Sequence, residues 1–505
     1  MPMSATTKLI SLAFIKRQRE IERYKDNTKL IQINLLMSLV NSAQRTEWGK
    51  QYHYIKIDSY RQYARRVPIQ DYEGFKPFIQ KMLEGQHNIL WPTEIKWFAK
   101  SSGTTNDKSK FIPVSQESLA ECHYQGGWDC VAVYLKNNPD SNIFSGKALI
   151  LGGSHKPEKS KNNIHSGDLS AVLIENINPL LELIRVPNRE VALMDEWEKK
   201  LEAMVEMTMN EDITNLSGVP SWFLVLLKKI MKRKGVNNLM EVWPNLEVFF
   251  HGGISFDPYR EQYAEIIPSD KMHYMETYNA SEGFFGLQDD PDDKSMLLLI
   301  DAGVFYEFIP MDEFGKPNAS VVPLWEVELN KNYAIVITTN SGLWRYIIGD
   351  TVMFTSANPY KFVITGRTKH YINAFGEELM VANAEKGISK TCQEMGVVIR
   401  NYTVAPTFMS DNKKGHHTWL IEFERKPKSM DEFADKLDSN LQSLNSDYEA
   451  KRYKGIFLDR LNVIEAREGL FYDWLKDKGK LGGQHKIPRL SNSREYLEEL
   501  MAMNG

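Results

Sequence analysis

Residues 101–113 read SSGTTNDKSKFIP, a run of small hydroxylated residues closing on two alternating lysines, Lys108 and Lys110. Bulkier sequence flanks it: ILWPTEIKWFAK precedes it and FIPVSQESL overlaps its end. Ser, Gly and Thr compete with the backbone for hydrogen bonds and tolerate unusual dihedrals, so the run by itself is equally an ordinary loop. It is not a Walker A sequence, because GxxxxGK[ST] needs a second glycine and a lysine before a hydroxyl. Gly103 is its only glycine. Backbone N–H groups and the hydroxyls of Ser101, Ser102, Thr104 and Thr105 can still line a polyphosphate, since small side chains let the main chain approach. What the loop holds depends on partners elsewhere in the chain.

At 505 residues the chain exceeds what one hydrophobic core comfortably holds, and length alone allows about three domains. An apolar content of 42% with 25% charged residues describes a folded globular protein rather than a disordered one. The net charge of −4 provides no basic field for nucleic acid. Cys122, Cys130 and Cys392 form no CxxC pair, hence neither a zinc site nor a disulfide framework, and the usage fits a reducing, cytoplasmic setting. Near the N-terminus, LISLAFI lies between Lys8 and KRQRE, with basic rather than small residues after it. That pattern predicts an amphipathic helix packed on the domain, not a signal peptide. WFLVLL at 222–227 is too short to span a bilayer, which takes about 18 apolar residues, so no membrane segment is expected.

Around the loop the pattern is α/β. Residues 5–45 predict helices, and SQESLAECHYQGGWDCVAVYL predicts another with Ser115 as N-cap. KALILGG (147–153) reads as a buried strand, and 194–209 and 220–233 as helices, the latter with Pro220 in its first turn. From 246 short strands alternate with GG, DDPDD and NSG turn signals up to KFVIT. Helix and strand then alternate again. The expected architecture is an α/β N-terminal domain with a β-rich portion, 1–366, and a smaller α+β C-terminal domain, 367–505, with the GRTK turn as hinge candidate.

Four further clusters carry chemistry. In FFHGGISFDPY (249–259), Gly252 and Gly253 end an apolar strand and leave room for a flat ring where α/β ligands bind, or are a plain strand-to-turn pair. His251 reads as structural rather than as a base. In METYNASEGFFG (275–286), Tyr278 can stack on a base, Ser281 can reach a phosphate, and Glu282 can offer Mg²⁺ one oxygen. In SGLWRYIIGDTVMF (341–354), Asp350 at a strand end suits two ribose hydroxyls, because a carboxylate accepts two hydrogen bonds at once; it is equally a turn aspartate. Arg367 follows across one hairpin. In GGQHKIPRL (482–490), Lys486 stands between a glycine pair and a proline, where a lone lysine is ordinarily a surface residue.

Taken in order, the clusters resemble the adenylate-forming enzymes, and most closely the Gretchen Hagen family of auxin-responsive acyl acid amido synthetases. The motifs SSGTTNDKSKFIP, YNASEG and LWRYIIGD carry the resemblance, together with VPIQDYEGFKPFI (67–79), ILWPTEIKWFAKSSGTT and NLSGVPSWFLVLLKKI. Two features depart from the pattern: Asn106–Asp107 stand where a glycine is common, and Trp344 replaces the usual tyrosine before Arg345.

The resemblance implies an adenylate-forming ligase fold with a mobile C-terminal lid, and ATP and Mg²⁺ as cosubstrate and cofactor. It also implies an activity that joins a small carboxylic acid to an amine, an amino acid by family habit, through an acyl adenylate. It assigns the nucleotide to Ser101, Ser102, Gly103, Thr104, Thr105, Lys110, Gly252, Gly253, Tyr278, Asn279, Ser281, Asp350 and Arg367. Glu282 takes the metal, and Lys486 the reacting phosphate or its leaving group. By the same analogy the acid lies between the 116–134 helix and the 251–255 turn. A coenzyme A ligase using the same adenylate is the alternative. A binding protein without turnover would need loss of Glu282, Asp350 or Lys486, and all three are present.

Overall fold

The computed structural model describes residues 5–505 apart from 102–109, 153–157, 161, 195, 254–255, 257–258, 369–370, 373, 378, 409–413, 454–457 and 478–488. The chain divides into two compact units, one of Met1–Ser101 with Lys110–Gly366, the other running through Arg367–Gly505.

The first unit is organised by a twelve-stranded sheet among the described residues, and the two halves of that sheet obey different rules. Lys147–Ile150, Arg185–Val186, Ile213–Gly218, Val248–Gly252 and His273–Ala280 pair in parallel. Parallel neighbours need crossover connections, and helices such as Trp197–Thr208 and Pro220–Lys234 supply them. Their strands read as apolar runs because both faces are covered; Val248, Phe249, Phe250 and His251 are all buried. From Gly283 to Arg367 the pairing is antiparallel, strand after strand. The hairpin whose tip is Ser281–Glu282 joins the last parallel strand to the first antiparallel one. A smaller sheet brackets the small-residue loop: Trp97–Ser101 and Lys110–Val114 run antiparallel, and Ser101 pairs across from Lys110.

The N-terminal stretch folds as expected into two helices, Ala5–Glu22 and Tyr24–Ser42. Charge and amide pin them to the body. Arg17 donates to Asp129 at 2.6 and 2.7 Å and to Asp301 at 2.6 and 2.8 Å. Gln32 donates to the carbonyls of Ile300 and Val304 and accepts from Tyr306 N. The helix after the loop is not uniform. Ser115 caps it, accepting from Ser118 N at 2.9 Å. Leu119–Tyr124 then winds as a π-helix before Gln125–Asn137 resumes the α form. Among the described residues no helix is long and apolar enough to cross a membrane.

The second unit holds a three-stranded sheet, Val398–Thr407, His416–Arg425 and Asn462–Ala466, with His416–Arg425 in the middle. Period-two alternation sends Trp419 and Ile421 to a core shared with Phe433 and Leu437. Leu420 goes to the opposite core, with Phe471, Trp474 and Leu497.

Candidate active site

The candidate site gathers residues from separate elements: Tyr278 and Glu282 from the hairpin where the two sheet halves meet, Tyr346 and Asp350 from a strand further along the antiparallel half, and Lys110 from the smaller sheet. Glu282 sits in the two-residue tip of the Tyr278–Gly283 hairpin and is only 7% exposed. A glutamate in a turn is ordinarily solvated, and burial of a carboxylate calls for a partner. Tyr346 supplies one: its hydroxyl stands 3.4 Å from Glu282 Oε1 and 3.5 Å from Lys110 Nζ. The phenol thus links the loop-end lysine to the candidate metal carboxylate. Lys110 lies 5.9 Å above the Tyr72 ring, and the Tyr72 hydroxyl accepts from Phe111 N at 2.8 Å, which holds the lysine's strand in place.

Tyr278 and Asp350 form the second contact, the tyrosine hydroxyl donating to the aspartate Oδ2. Asp350 does not end a strand, as its position in the sequence suggests. It lies inside the strand Tyr346–Ala357, where Ile348, Gly349 and Asp350 together stand opposite the single Ile335. Gly349 takes φ 99°, open to glycine at little cost, and the resulting bulge re-aims the side chain that follows. The partner hairpin is bulged too, with Phe285 as the extra residue. Its ring packs 5.0 Å from that of Tyr278, and Phe362 lies 6.0 Å away, so much of the Tyr278 ring is spent on the core.

Gly252 pairs with Thr277, one residue before Tyr278. A Cβ on Gly252 would fall 2.3 Å from the Thr277 carbonyl oxygen, so close strand approach alone demands glycine there. Gly253 follows at φ 81°. His251 is buried and stacks on Phe256 at 4.2 Å, a structural placement. Ser281 is half-buried at the tip, and Asn279 is exposed beside it. Ser101 sits at the strand end opposite Lys110. Arg367 closes the strand Tyr360–Arg367, and its side chain lies outside the described residues. So do Ser102, Gly103, Thr104, Thr105 and Lys486.

The LWRY motif divides in two. Trp344 and Arg345 are fasteners: Trp344 Nε1 donates to Leu90 O at 3.1 Å, tying in the ILWP segment. Arg345, at φ 48°, donates to both carboxylate oxygens of buried Glu307 at 2.9 Å and to the carbonyls of Ala64 and Val67. Gln70 of VPIQDY then bonds the backbone on either side of Tyr346. Everything that fixes these neighbours fixes Tyr346, which sequence inspection passed over. The signal was its even spacing from Asp350, which puts both side chains on one face of the strand.

Among the described residues no group of three or more His, Cys, Asp or Glu could hold a metal. A single carboxylate at Glu282 fits Mg²⁺, which dehydrates reluctantly and takes most of its shell from water and phosphate.

The fold is that of the adenylate-forming ligases. A solved acyl acid amido synthetase complexed with 2,4-DB superposes with a TM-score of 0.62 at 17% identity, covering 97% of this chain and 96% of that one. A 2-hydroxyisobutyryl-CoA ligase superposes with a TM-score of 0.55 at 12% identity, covering 94% of this chain and 92% of that one. Family profiles match nearly end to end: the GH3 family N-terminal domain over 17–272, its central domain over 297–367 and its C-terminal domain over 382–495. The chain belongs to the GH3 family. Similar curated proteins from Arabidopsis thaliana include the indole-3-acetic acid-amido synthetase GH3.3, 23% identical over 96% of this chain and 93% of that one. Another is the 4-substituted benzoates-glutamate ligase GH3.12, 22% identical over 96% of each.

Proposed function

We propose that this protein is an ATP-dependent ligase that activates a small carboxylic acid as its acyl adenylate and transfers the acyl group to the amine of an amino acid. The observation that carries the proposal is the convergence of Lys110 and Tyr346 on Glu282, which sits in the hairpin where parallel strands give way to antiparallel ones, beside the Tyr278–Asp350 pair. In open α/β sheets ligands gather where the topology changes. Relatives named for joining indole-3-acetic acid or benzoates to an amino acid supply the substrate classes.

In the first half-reaction a carboxylate oxygen of the acid attacks the α-phosphorus of ATP, and the bond to pyrophosphate breaks. Charge moves onto phosphate oxygens, so the chain's work is positioning and counter-charge. Lys110 holds the β and γ phosphates with the hydroxyls and amides of 101–105. Asp350 accepts from the ribose hydroxyls. Gly252, Gly253 and Tyr278 are assigned to adenine, and Arg367 to the sugar or phosphate. Glu282 is the residue that would hold Mg²⁺, whose role when bound is to neutralise phosphate charge. Lys486 serves the reacting phosphate. In the second half-reaction the amine attacks the acyl carbon, AMP leaves, and the amine gives up a proton.

Acid-dependent pyrophosphate release across a panel of acids, followed by product analysis with amino acids against coenzyme A, tests the proposal. Release with an amide product supports it. A thioester as the sole product would replace the acceptor with coenzyme A, and no release with any acid would overturn the activity.

A further inference from the structure

The buried His123 has no role so far, and its partner is the exposed Asn279, which family resemblance gives to the nucleotide. His123 lies in the π-helical turn Leu119–Tyr124, and π segments recur at functional sites. Its Nδ1 is 3.2 Å from Asn279 Oδ1. Its Nε2 is buried and has no hydrogen-bond partner. The two elements are locked face to face: Phe284 N donates to Cys122 Sγ at 3.2 Å, and a Cβ on Gly126 would fall 2.4 Å from the Phe284 ring.

Two arrangements can satisfy the close contact. Either His123 carries its proton on Nδ1 and donates to the Asn279 oxygen, or the amide is reversed and donates to a bare Nδ1. Burial pushes the His123 pKa down to about 4, so near neutral pH the ring has one proton to place. The reversed amide would force that proton onto Nε2 and bury an unpaired N–H. Orphaned buried N–H groups are rarer than orphaned acceptors. The first arrangement therefore holds, and the Asn279 oxygen faces inward.

Successive strand residues point to opposite faces. Tyr278 goes to the face of Phe285, Phe362 and Asp350, and Asn279 to the face covered by the helix. We propose that His123 is a positioning residue that fixes the Asn279 amide with its oxygen inward, so that the NH₂ is presented as a donor to an anionic oxygen of the bound substrate. Resting on the function proposed above, that oxygen belongs either to the carboxylate of the acid or to a phosphate of ATP.

Steady-state pyrophosphate release by the 505-residue chain separates the two sources. Asn279→Ala should raise one KM about 10- to 100-fold, the range for losing a hydrogen bond to a charged group, with a smaller change in kcat. A rise for the acid assigns the carboxylate, and a rise for ATP assigns the phosphate. Asn279→Asp keeps the bond to His123 but turns an oxygen outward, and should lose more than Asn279→Ala. His123→Phe should raise the same KM, and add nothing in the Asn279→Ala background. Unchanged KM values in a folded Asn279→Ala, or additive effects of the two substitutions, would overturn the inference. The ¹⁵N spectrum of the histidine rings gives a readout without turnover, with His123 assigned by the signals lost in His123→Phe. The Nδ1–H tautomer is expected from pH 5 to 8, and an Nε2–H tautomer would overturn the pair even if that variant folds poorly and His123 is assigned otherwise. A wild-type chain with no acid-dependent release but the Nδ1–H tautomer would instead sink the proposed activity and, with it, the substrate contact.

Discussion

At the scale of single residues, the candidate site is a small set of oxygen and nitrogen atoms whose neighbours decide what they can do. Glu282 is kept nearly out of water at a turn, against the habit of glutamate, with the Tyr346 hydroxyl as a partner. Glu282→Gln keeps the shape and removes the charge. Acid-dependent pyrophosphate release should fall about 10²- to 10³-fold, as when one electrostatic group is removed from an active site, with the thermal midpoint little changed. A normal rate with normal Mg²⁺ dependence would refute the metal role. Asp350→Ala should weaken nucleotide binding more than it slows the bound complex, by about 1.5–3 kcal/mol for a lost charged acceptor. Comparison of ATP with 2′-deoxy-ATP checks this, because equal discrimination by variant and wild type would exclude the ribose. Glu282 and Asp350 were legible in the sequence because turn glycines and apolar strands frame them. Tyr346 was not, since its partners Lys110 and Glu282 lie 236 and 64 positions away and nothing local records them.

At the scale of elements, much of what looks like a catalytic signature is joinery. Trp344 and Arg345 tie a strand to the 60–91 region, and the Arg345 pair with Glu307 is buried on both sides. Glu307→Leu would leave the guanidinium without its carboxylate inside the protein. Breaking one side of such a pair costs about 3–5 kcal/mol, so denaturant unfolding should show a loss of that size, and a loss below about 1 kcal/mol would contradict the buried pairing. Strand and helix periodicity located many of the large elements in the sequence, since apolar alternation and helical spacing survive without tertiary context, but not the helices Tyr72–Leu83 and Glu495–Asn504. The π turn at Leu119–Tyr124 and the bulge at Ile348–Asp350 left no such trace, because both answer to what packs against them. The glycines of 252–253 were legible as a pair but not for their causes, the neighbouring strand's carbonyl at Gly252 and a left-handed backbone at Gly253.

At the scale of the whole molecule, the chain comprises a large unit holding the described site residues and a smaller one whose sequence includes Lys486. The family pattern gives Lys486 a part in the first half-reaction alone. Lys486→Ala should therefore abolish acid-dependent pyrophosphate release while nucleotide still binds and transfer from a supplied acyl adenylate survives. An ordinary surface lysine would change none of the three, and equal loss in all three would mean misfolding. The scatter of the site residues along the chain also bears on how the site comes into being as the chain is assembled. Its contacts join residues far apart along the polypeptide: 64 positions from Glu282 to Tyr346, 72 from Tyr278 to Asp350, 156 from His123 to Asn279 and 236 from Lys110 to Tyr346. Closing long loops adds little to the thermodynamic cost, since that cost grows only with the logarithm of length, but distant pairings form late. An incomplete chain ending before residue 346 contains YNASEG and the small-residue loop, yet neither the hydroxyl that joins Lys110 to Glu282 nor the carboxylate that meets Tyr278. The motifs lie scattered along the sequence, whereas the site belongs only to the finished fold.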